Sequence, residues 1–166
     1  MYRLVVEGQK AHLIDLLDLE QVEVNIFRGV SPDEERRRVF GGQVAAQALV
    51  AAGRTVEHRL VHSLHAYFLR PGDPHLPILY EVERLRDGHS FSARHVAGIQ
   101  HGETILALTC SFHKEEEGLT HGDSIPKVPD PETLVAVSEL VDTDEGLPRS
   151  FTHTYGLDVR FVSEYP

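Results

Sequence analysis

The sequence predicts an α+β domain in which a curved antiparallel sheet wraps around one long central helix. Between Phe40 and Val56 almost all side chains are apolar, and a helix that is apolar around most of its circumference must be enclosed by other elements. Four segments rich in β-branched and aromatic residues follow this helix, which predicts consecutive strands. A long buried helix followed by a run of strands is typical of the α+β class.

The apolar spacing places the elements in order along the chain. The predicted elements are a short helix over 11–19, a strand over 20–30, the long helix from Phe40, and strands over 60–70, 78–86, 91–100 and 104–113. Asp87-Gly88 and His101-Gly102 are typical of hairpin turns. We therefore expect the four strands after the helix to form an antiparallel meander.

The composition changes after the last of these strands. Residues 116–155 are acidic and punctuated by prolines, which predicts a linker with one short helix around Glu132–Val141. Alternation from Leu157 to Phe161 then predicts a strand that begins a new unit. The expected organisation is a domain over 1–115, a linker over 116–155, and the first strand of an incomplete second domain over 156–166.

Composition and charge exclude several functions. The 166 residues suit one domain with an appendage, and a formal net charge of −10 makes nucleic acid an unsuitable partner. The first residues lack the apolar stretch of a signal peptide, and no run is long enough to span a bilayer, so we expect a cytoplasmic protein with no membrane partner. Cys110 is the single cysteine, and its apolar neighbours at alternate positions predict a buried side chain. The eleven histidines show no paired spacing typical of a metal site.

The start of the long helix is a candidate site. Gly41 and Gly42 leave the first backbone N–H groups without side-chain cover, and such groups can bind a ligand oxygen or a developing oxyanion. The glycines are equally explained by close packing of the helix on the sheet. Gln43 and Gln47 lie one helical turn apart, and either substrate binding or hydrogen bonds to neighbouring strands accounts for them.

Two histidines lie on the first strand after the helix. His62 and His65 are three residues apart, so on a regular strand they point to opposite faces and cannot bind one metal ion. His62 alternates in step with Leu64 and Phe68, which predicts that it faces the helix, whereas His65 should face away. A histidine in that position could orient or deprotonate a water that attacks an activated carbonyl. A hydrogen-bonded, purely structural imidazole is the alternative.

Arginines and a serine complete the set of candidates. Arg84, Arg86 and Arg94 fall on the two arms of one predicted hairpin, and Arg36–Arg38 form a second cluster. Both clusters fit either a polyanionic ligand or solvated surface arginines. The segment that contains Ser90 begins like the nucleophile elbow of a serine hydrolase, but it lacks the second glycine and lies in a hairpin, so we do not expect a serine nucleophile.

Several motifs together resemble a known family. They are LLDLEQVEVNIFRG, VFGGQVAAQAL, LVHSLHAYFLRPGD, LRDGHSFSARHVAGIQHG and the following SFH. Over about residues 13–115, in order and spacing, they closely resemble the first half of the acyl-CoA thioesterase II family, whose members have two fused hotdog domains. The resemblance implies a hotdog fold, hydrolysis of fatty acyl-CoA to free fatty acid and coenzyme A, and no metal or redox cofactor.

On this basis His62 is the predicted catalytic residue. The predicted substrate-binding residues are Phe40, Gly41, Gly42, Gln43, His65, Tyr67, Arg86, Ser90 and Arg94. In the family, the Asp, the Ser or Thr and the Gln that position the attacking water belong to the second hotdog, and none of them can be assigned to a position here. The alternative is therefore a non-catalytic hotdog module that packs with a partner domain and contributes to acyl-CoA binding. The open sheet edge predicts a homo-oligomer or association with a second hotdog domain.

Overall fold

A computed structural model describes residues 13–32, 37–141 and 158–162. The chain divides into two compact units. One unit, Ile14–Glu117, holds the long helix and the sheet. The described residues of the other are Leu13, 118–141 and 158–162.

The helices and strands follow the predicted order, except that two strands replace the single strand predicted over 20–30. These helices and strands are α1 (Leu13–Leu17), β1 (Glu20–Glu23), β2 (Ile26–Gly29), α2 (Gly41–Gly53), β3 (Leu60–Phe68), β4 (Ile78–Asp87), β5 (Phe91–Gln100), β6 (Glu103–His113) and α3 (Val137–Val141). The six strands form one antiparallel sheet in the order β1-β2-β4-β5-β6-β3. Helix α2 packs across this sheet and contacts every strand from β2 to β6. The α+β architecture with one enclosed helix is confirmed.

Small side chains let α2 approach the sheet closely. Ala48, Ala51 and Ala52 are fully buried and belong to one apolar core with residues of β4, β5 and β6. On β6 the side chains at even positions, from Leu106 to Phe112, are buried in this core. The odd positions within this stretch, from Ala107 to Ser111, point to the opposite side of the sheet, since side chains alternate along a strand. We call these two sides the helix face and the outer face. Ile105 lies where the register shifts, and it is buried in the core as well.

The sheet differs from the prediction in two places. The single strand predicted over 20–30 is wrong, because Asn25 adopts a φ of 63° and the chain reverses there to form the β1–β2 hairpin. An asparagine tolerates this left-handed conformation better than most residues. The complete meander is also wrong: β3 pairs with β6 and lies at the edge, so only β4, β5 and β6 are sequential neighbours.

The two predicted hairpin turns are confirmed. β4 pairs with β5 across the Asp87-Gly88 turn, and β5 pairs with β6 across the His101-Gly102 turn. His101 and Gly102 have φ values of 51° and 75°. Positive φ at both central residues is the geometry of the tight turns that match the twist of paired strands.

The second unit contains little regular structure in its described part. A 3₁₀ helix spans Pro131–Thr133 before α3, and Ala136 forms an isolated antiparallel bridge with Arg160. The predicted strand over 157–161 is reduced to this bridge, and Leu157 lies outside the described residues. The domain limits drawn from composition stay predictions. Within the described ranges, no helix is long and apolar enough to cross a membrane.

Candidate functional site

A cavity of about 320 Å³ lies beside the N-terminus of α2. Its apolar lining includes Val39, Val44, Phe68, Leu69 and Ile105. Gly41, at the first position of the helix, also lines the cavity, as do Arg38 and Arg70. The volume falls at the lower end of the range of small-molecule pockets. An apolar interior with a few polar groups is typical of such pockets.

The helix N-terminus offers backbone donors to this cavity. Phe40 is the N-cap residue and makes no side-chain cap hydrogen bond. Its carbonyl accepts the N–H groups of Gln43 at 3.1 Å and Val44 at 3.2 Å, whereas helix geometry gives the N–H groups of Gly41 and Gly42 no intrahelical acceptor. The positive end of the helix dipole adds to their attraction for a carbonyl oxygen.

A side chain at either glycine would meet an aromatic ring. A Cβ atom at Gly41 would lie 3.0 Å from Cε1 of Phe68 on β3, and a Cβ atom at Gly42 would overlap the ring of Phe40, which precedes the helix. The contact with the sheet supports the packing interpretation for Gly41 and not for Gly42, and it leaves the donor role of both residues in place. Contact of Phe40, Gly41 and Gly42 with a substrate stays a prediction.

Gln43 is buried, and its side chain is bonded within the protein. Its Nε2 donates to the carbonyl of Val30 at 3.1 Å and to Oγ of Ser31 at 3.2 Å. This arrangement fits the structural alternative, in which the amide holds the segment after β2 against α2. A substrate contact of Gln43 stays a prediction.

His62 lies on the outer face, so the prediction that it faces the helix is wrong. Val61 pairs with Phe112 and Ser63 pairs with Ser111, so the intervening His62 is an extra residue in a β-bulge. The bulge turns its side chain away from the helix, and Nε2 of His62 lies 2.9 Å from Oγ of Ser111. A catalytic role for His62 stays a prediction that the cavity does not support, since the imidazole and the cavity lie on opposite faces.

The environment of His62 is aromatic and exposed to solvent. Its ring centroid lies 5.7 Å from that of Phe91 and 6.3 Å from that of His113. Ser90 is next to this group, and its hydroxyl donates to Oε1 of Glu116 at 3.1 Å. Arg86 also lies on the outer face, where it pairs with Ala93. Substrate contacts of Ser90 and Arg86 stay predictions.

His65 faces away from the helix, as predicted. It pairs with Thr109 on the outer face, and its ring centroid lies 4.6 Å from that of Tyr67. Both side chains are exposed. Their predicted contact with substrate has no support from the cavity, which lies on the other face.

Arg94 is almost completely buried, with 1% of its side chain exposed. The guanidinium donates to Oγ1 and the carbonyl of Thr55, to the carbonyls of Arg86 and Ala93, and to Oδ1 of Asp87 at 2.7 Å. These five bonds fix the C-terminal end of α2 to the sheet. Because its donors are engaged by protein acceptors, the cavity site does not include Arg94.

The sequence did not single out the residues that shape the cavity wall. Gln100 is buried, and it accepts the N–H of Asp73 at 2.8 Å and donates to the carbonyls of Asp73 and Leu76, both at 2.9 Å. The carbonyl of Gly72 in turn accepts the N–H of Val39 at 2.9 Å. The signal in the sequence is a glutamine at the end of a predicted strand, because a buried amide at such a position needs hydrogen-bond partners in a neighbouring loop.

Two further expectations can be compared with the structure. Cys110 is buried, as predicted, and burial raises the pKa of its thiol to about 11. A thiol with a raised pKa is a poor nucleophile. Among the residues that the structure describes, no group of three or more potential ligands could hold a metal ion.

Comparison with known proteins identifies the family. Residues 31–113, half of the chain, match the family model of the acyl-CoA thioesterase N-terminal domain. This chain belongs to the acyl-CoA thioesterase N-terminal domain family. It is 52% identical over 157 residues to acyl-CoA thioesterase 2 of Haemophilus influenzae, with 93% of this chain and 53% of that protein covered.

Solved structures support the hotdog fold of this acyl-CoA thioesterase N-terminal domain. The crystal structure of acyl-CoA thioesterase II from Mycobacterium marinum is 48% identical, with a TM-score of 0.65 over 72% of this chain and 44% of that chain. A hot dog fold protein from Alicyclobacillus acidocaldarius, 24% identical, has a TM-score of 0.66 over 84% of this chain and 51% of that chain. The chain spans about half the length of the curated relatives it matches.

The position of His62 leads to a first prediction for an active assembly that contains this domain. We expect His62→Ala to change kcat/KM for palmitoyl-CoA by less than about twofold, since the bulge holds the imidazole away from the cavity. His65→Ala is the matched control on the same strand and face. A loss of about tenfold or more for His62→Ala alone would assign it a role in transition-state stabilisation.

Proposed function

We propose that this domain takes part in the hydrolysis of fatty acyl-CoA thioesters to free fatty acid and coenzyme A, as the N-terminal half of a double-hotdog enzyme in the cytoplasm. The observation that carries the proposal is the apolar cavity at the N-terminus of α2, in a chain of the acyl-CoA thioesterase N-terminal domain family. The apolar lining suits an acyl chain, and the backbone donors suit the thioester carbonyl.

The proposed chemistry divides between this chain and a partner domain. The N–H groups of Gly41 and Gly42 hold the carbonyl oxygen and stabilise the negative charge that develops on it when water attacks. The apolar side chains of Val44 and Ile105 exclude bulk water around the thioester, which strengthens these hydrogen bonds. The groups that orient the water come from the second hotdog, as the family resemblance implies. No metal or redox cofactor enters this scheme.

Strand β3 supports association with such a partner. It is an edge strand of nine residues, and no other strand of the described sheet pairs with its free side. Several of its apolar side chains are exposed, including Leu60 at 73%, Tyr67 at 63% and Phe68 at 59%. Because Phe68 also lines the cavity, a domain that pairs with β3 would bring its own residues next to the thioester. We propose a second hotdog domain, or a second copy of this chain, as the partner.

A thiol-release assay tests the proposed hydrolysis. We expect palmitoyl-CoA to be hydrolysed by this chain together with the C-terminal half of a double-hotdog relative, and much more slowly by this chain alone. Catalysis should require the partner, because the partner supplies the groups that position the water. Absence of thiol release with and without the added half would contradict the proposal.

Light scattering on the same samples tests the proposed association. The exposed edge and apolar side chains predict a dimer or a complex with the added half. A stable monomer with full thioesterase turnover would contradict both the proposed association and the proposal that a partner domain supplies the groups that position the water.

The alternative is a non-catalytic hotdog module that contributes to acyl-CoA binding. This alternative rests on the family's water-positioning Asp, Ser or Thr and Gln, none of which can be assigned to a position in this sequence. Binding of a palmitoyl-CoA analogue without thiol release, in every pairing with a second hotdog, would establish this alternative.

A further inference from the structure

Two arginines line the cavity, and the proposed function assigns them no role. Arg38 lies on the segment that leads into α2, and Arg70 lies just after the end of β3. Among the residues that the structure describes, no acidic residue lines the cavity beside them. Arg70 is ion-paired with Glu103, so the two arginines leave one net positive charge among the described residues beside an apolar cavity. On a chain whose net charge is −10, such a local positive charge still attracts an anionic ligand.

The two arginines differ in how they are held. Nη1 of Arg70 donates to the carbonyl of Thr104 at 2.7 Å, and Nε of Arg70 lies 3.1 Å from Oε2 of Glu103. These contacts fix the guanidinium while about half of the side chain stays exposed. Arg38 is exposed, and the described part of the chain provides it with no hydrogen bond or ion pair. Arg70 is thus pre-oriented, whereas no described residue engages the donors of Arg38.

The size of the cavity decides how a long ligand is oriented. About 320 Å³ holds only part of a long-chain acyl-CoA. Phosphate groups cannot be buried among apolar side chains without a large loss of hydration energy. The apolar portion of the ligand therefore enters the cavity, and the phosphates remain at the exposed rim. Guanidinium groups bind phosphate oxygens with charge-assisted hydrogen bonds of suitable geometry.

We propose that Arg38 and Arg70 bind the phosphate groups of the coenzyme A moiety and so set the direction in which the thioester enters the cavity. This inference rests on the proposed function, since it names the part of the substrate that the rim recognises. A carboxylate of a free fatty acid shares the negative charge of phosphate, so the test includes it as a separate arm.

The experiment measures binding by titration calorimetry with this chain. The ligands are S-hexadecyl-CoA, a thioether that cannot be hydrolysed, S-hexadecyl-pantetheine, which keeps the apolar chain but lacks the phosphates, and palmitate, which carries a carboxylate in their place. The protein variants are Arg38→Gln, Arg70→Gln and the control Arg37→Gln, which removes the same charge from an exposed neighbour that does not line the cavity. Thermal unfolding confirms that each variant is folded.

We expect Arg38→Gln and Arg70→Gln each to raise the Kd of S-hexadecyl-CoA by about fivefold at low salt, and Arg37→Gln by less than about twofold. The Kd of S-hexadecyl-pantetheine should not change, because it has no phosphate to lose a contact. Higher salt should reduce the differences, since the arginines are exposed. Arg38→Lys should recover part of the affinity through its charge.

Three outcomes would overturn the inference alone, and a fourth would overturn it together with the proposed function. Equal effects of Arg37→Gln and Arg38→Gln would show a general charge effect while leaving acyl-CoA binding intact. Equal loss with both ligands would show that the arginines do not act on the phosphates, and a loss with palmitate alone would assign them to a carboxylate. If the unaltered chain binds neither thioether ligand, the proposed function of the cavity fails together with the inference.

Discussion

Replacement of Arg94 by methionine should lower the free energy of unfolding by about 3 kcal/mol, because it leaves buried acceptors without their donors. The carbonyl and hydroxyl of Thr55 lose the bonds that join the end of α2 to β5, and Asp87 loses its charged partner. Chemical denaturation monitored by circular dichroism measures the change.

Arg84→Met is the matched control for this variant. Arg84 is the cross-strand neighbour of Arg94, but it is exposed and makes a hydrogen bond only to the side chain of Asn25 among the described residues. We expect it to change the free energy of unfolding by less than about 0.5 kcal/mol. Equal effects of the two substitutions would contradict the structural role of Arg94.

The same ion pair predicts a pH dependence. The hydrogen bond from Arg94, followed by that from Ser92, lowers the pKa of Asp87 below its ordinary value of 3.8. A pKa that is lowered in the folded state stabilises the fold at pH values above the ordinary pKa. This stabilisation is lost as the pH falls through the folded-state pKa. The difference between the unaltered protein and Arg94→Met should therefore shrink as pH falls below 3.8. Denaturation at a series of acidic pH values measures this.

Replacement of Gln47 by leucine should also lower the free energy of unfolding by about 3 kcal/mol, since this buried side chain loses three hydrogen bonds, two of them fully buried. Gln47 is fully buried, and its Nε2 donates to the carbonyls of Leu16 at 2.6 Å and Val30 at 3.0 Å. Its Oε1 accepts the hydroxyl of Tyr80 at 2.8 Å. The side chain thus joins α1, the end of β2 and β4 to the central helix.

A second substitution isolates one of these bonds. Burial raises the pKa of Tyr80 well above its ordinary value, so its hydroxyl remains a donor that needs an acceptor. Adding Tyr80→Phe to Gln47→Leu should recover about 1 kcal/mol, because it removes the unpaired hydroxyl. The control Gln21→Leu, on exposed strand β1, should stay within about 0.5 kcal/mol of the unaltered protein. A Gln47→Leu variant as stable as this control would contradict the account of the core.

The sequence predicts the fold best where one local signal decides the structure. The apolar circumference of α2 and the Asp87-Gly88 and His101-Gly102 turns place the helix and β4, β5 and β6 almost residue by residue. The pairing of β3 with β6 depends on a connection of nine residues, 69–77, which passes β6 and β5 and leads to the interior strand β4. No local pattern encodes how many strands such a connection passes.

The sequence likewise predicts only those parts of the candidate site that depend on a local signal. The absence of side chains at a helix start predicts a site at Gly41, and this residue does line the cavity. Alternation predicts His62 on the helix face, and one extra residue in the strand reverses that placement. Arg38 and Arg70 meet at one cavity only through the fold, since 32 positions separate them in the sequence.

The most direct test of the central claim, that acyl-CoA binds in the cavity at the N-terminus of α2, is a methyl NMR titration of this chain with S-hexadecyl-CoA. We expect chemical-shift changes at Val39, Val44 and Ile105, which line the cavity, and none at Ala93 and Thr109, which lie on the outer face. Shifts confined to the outer face, or no shifts at saturating ligand, would contradict the claim.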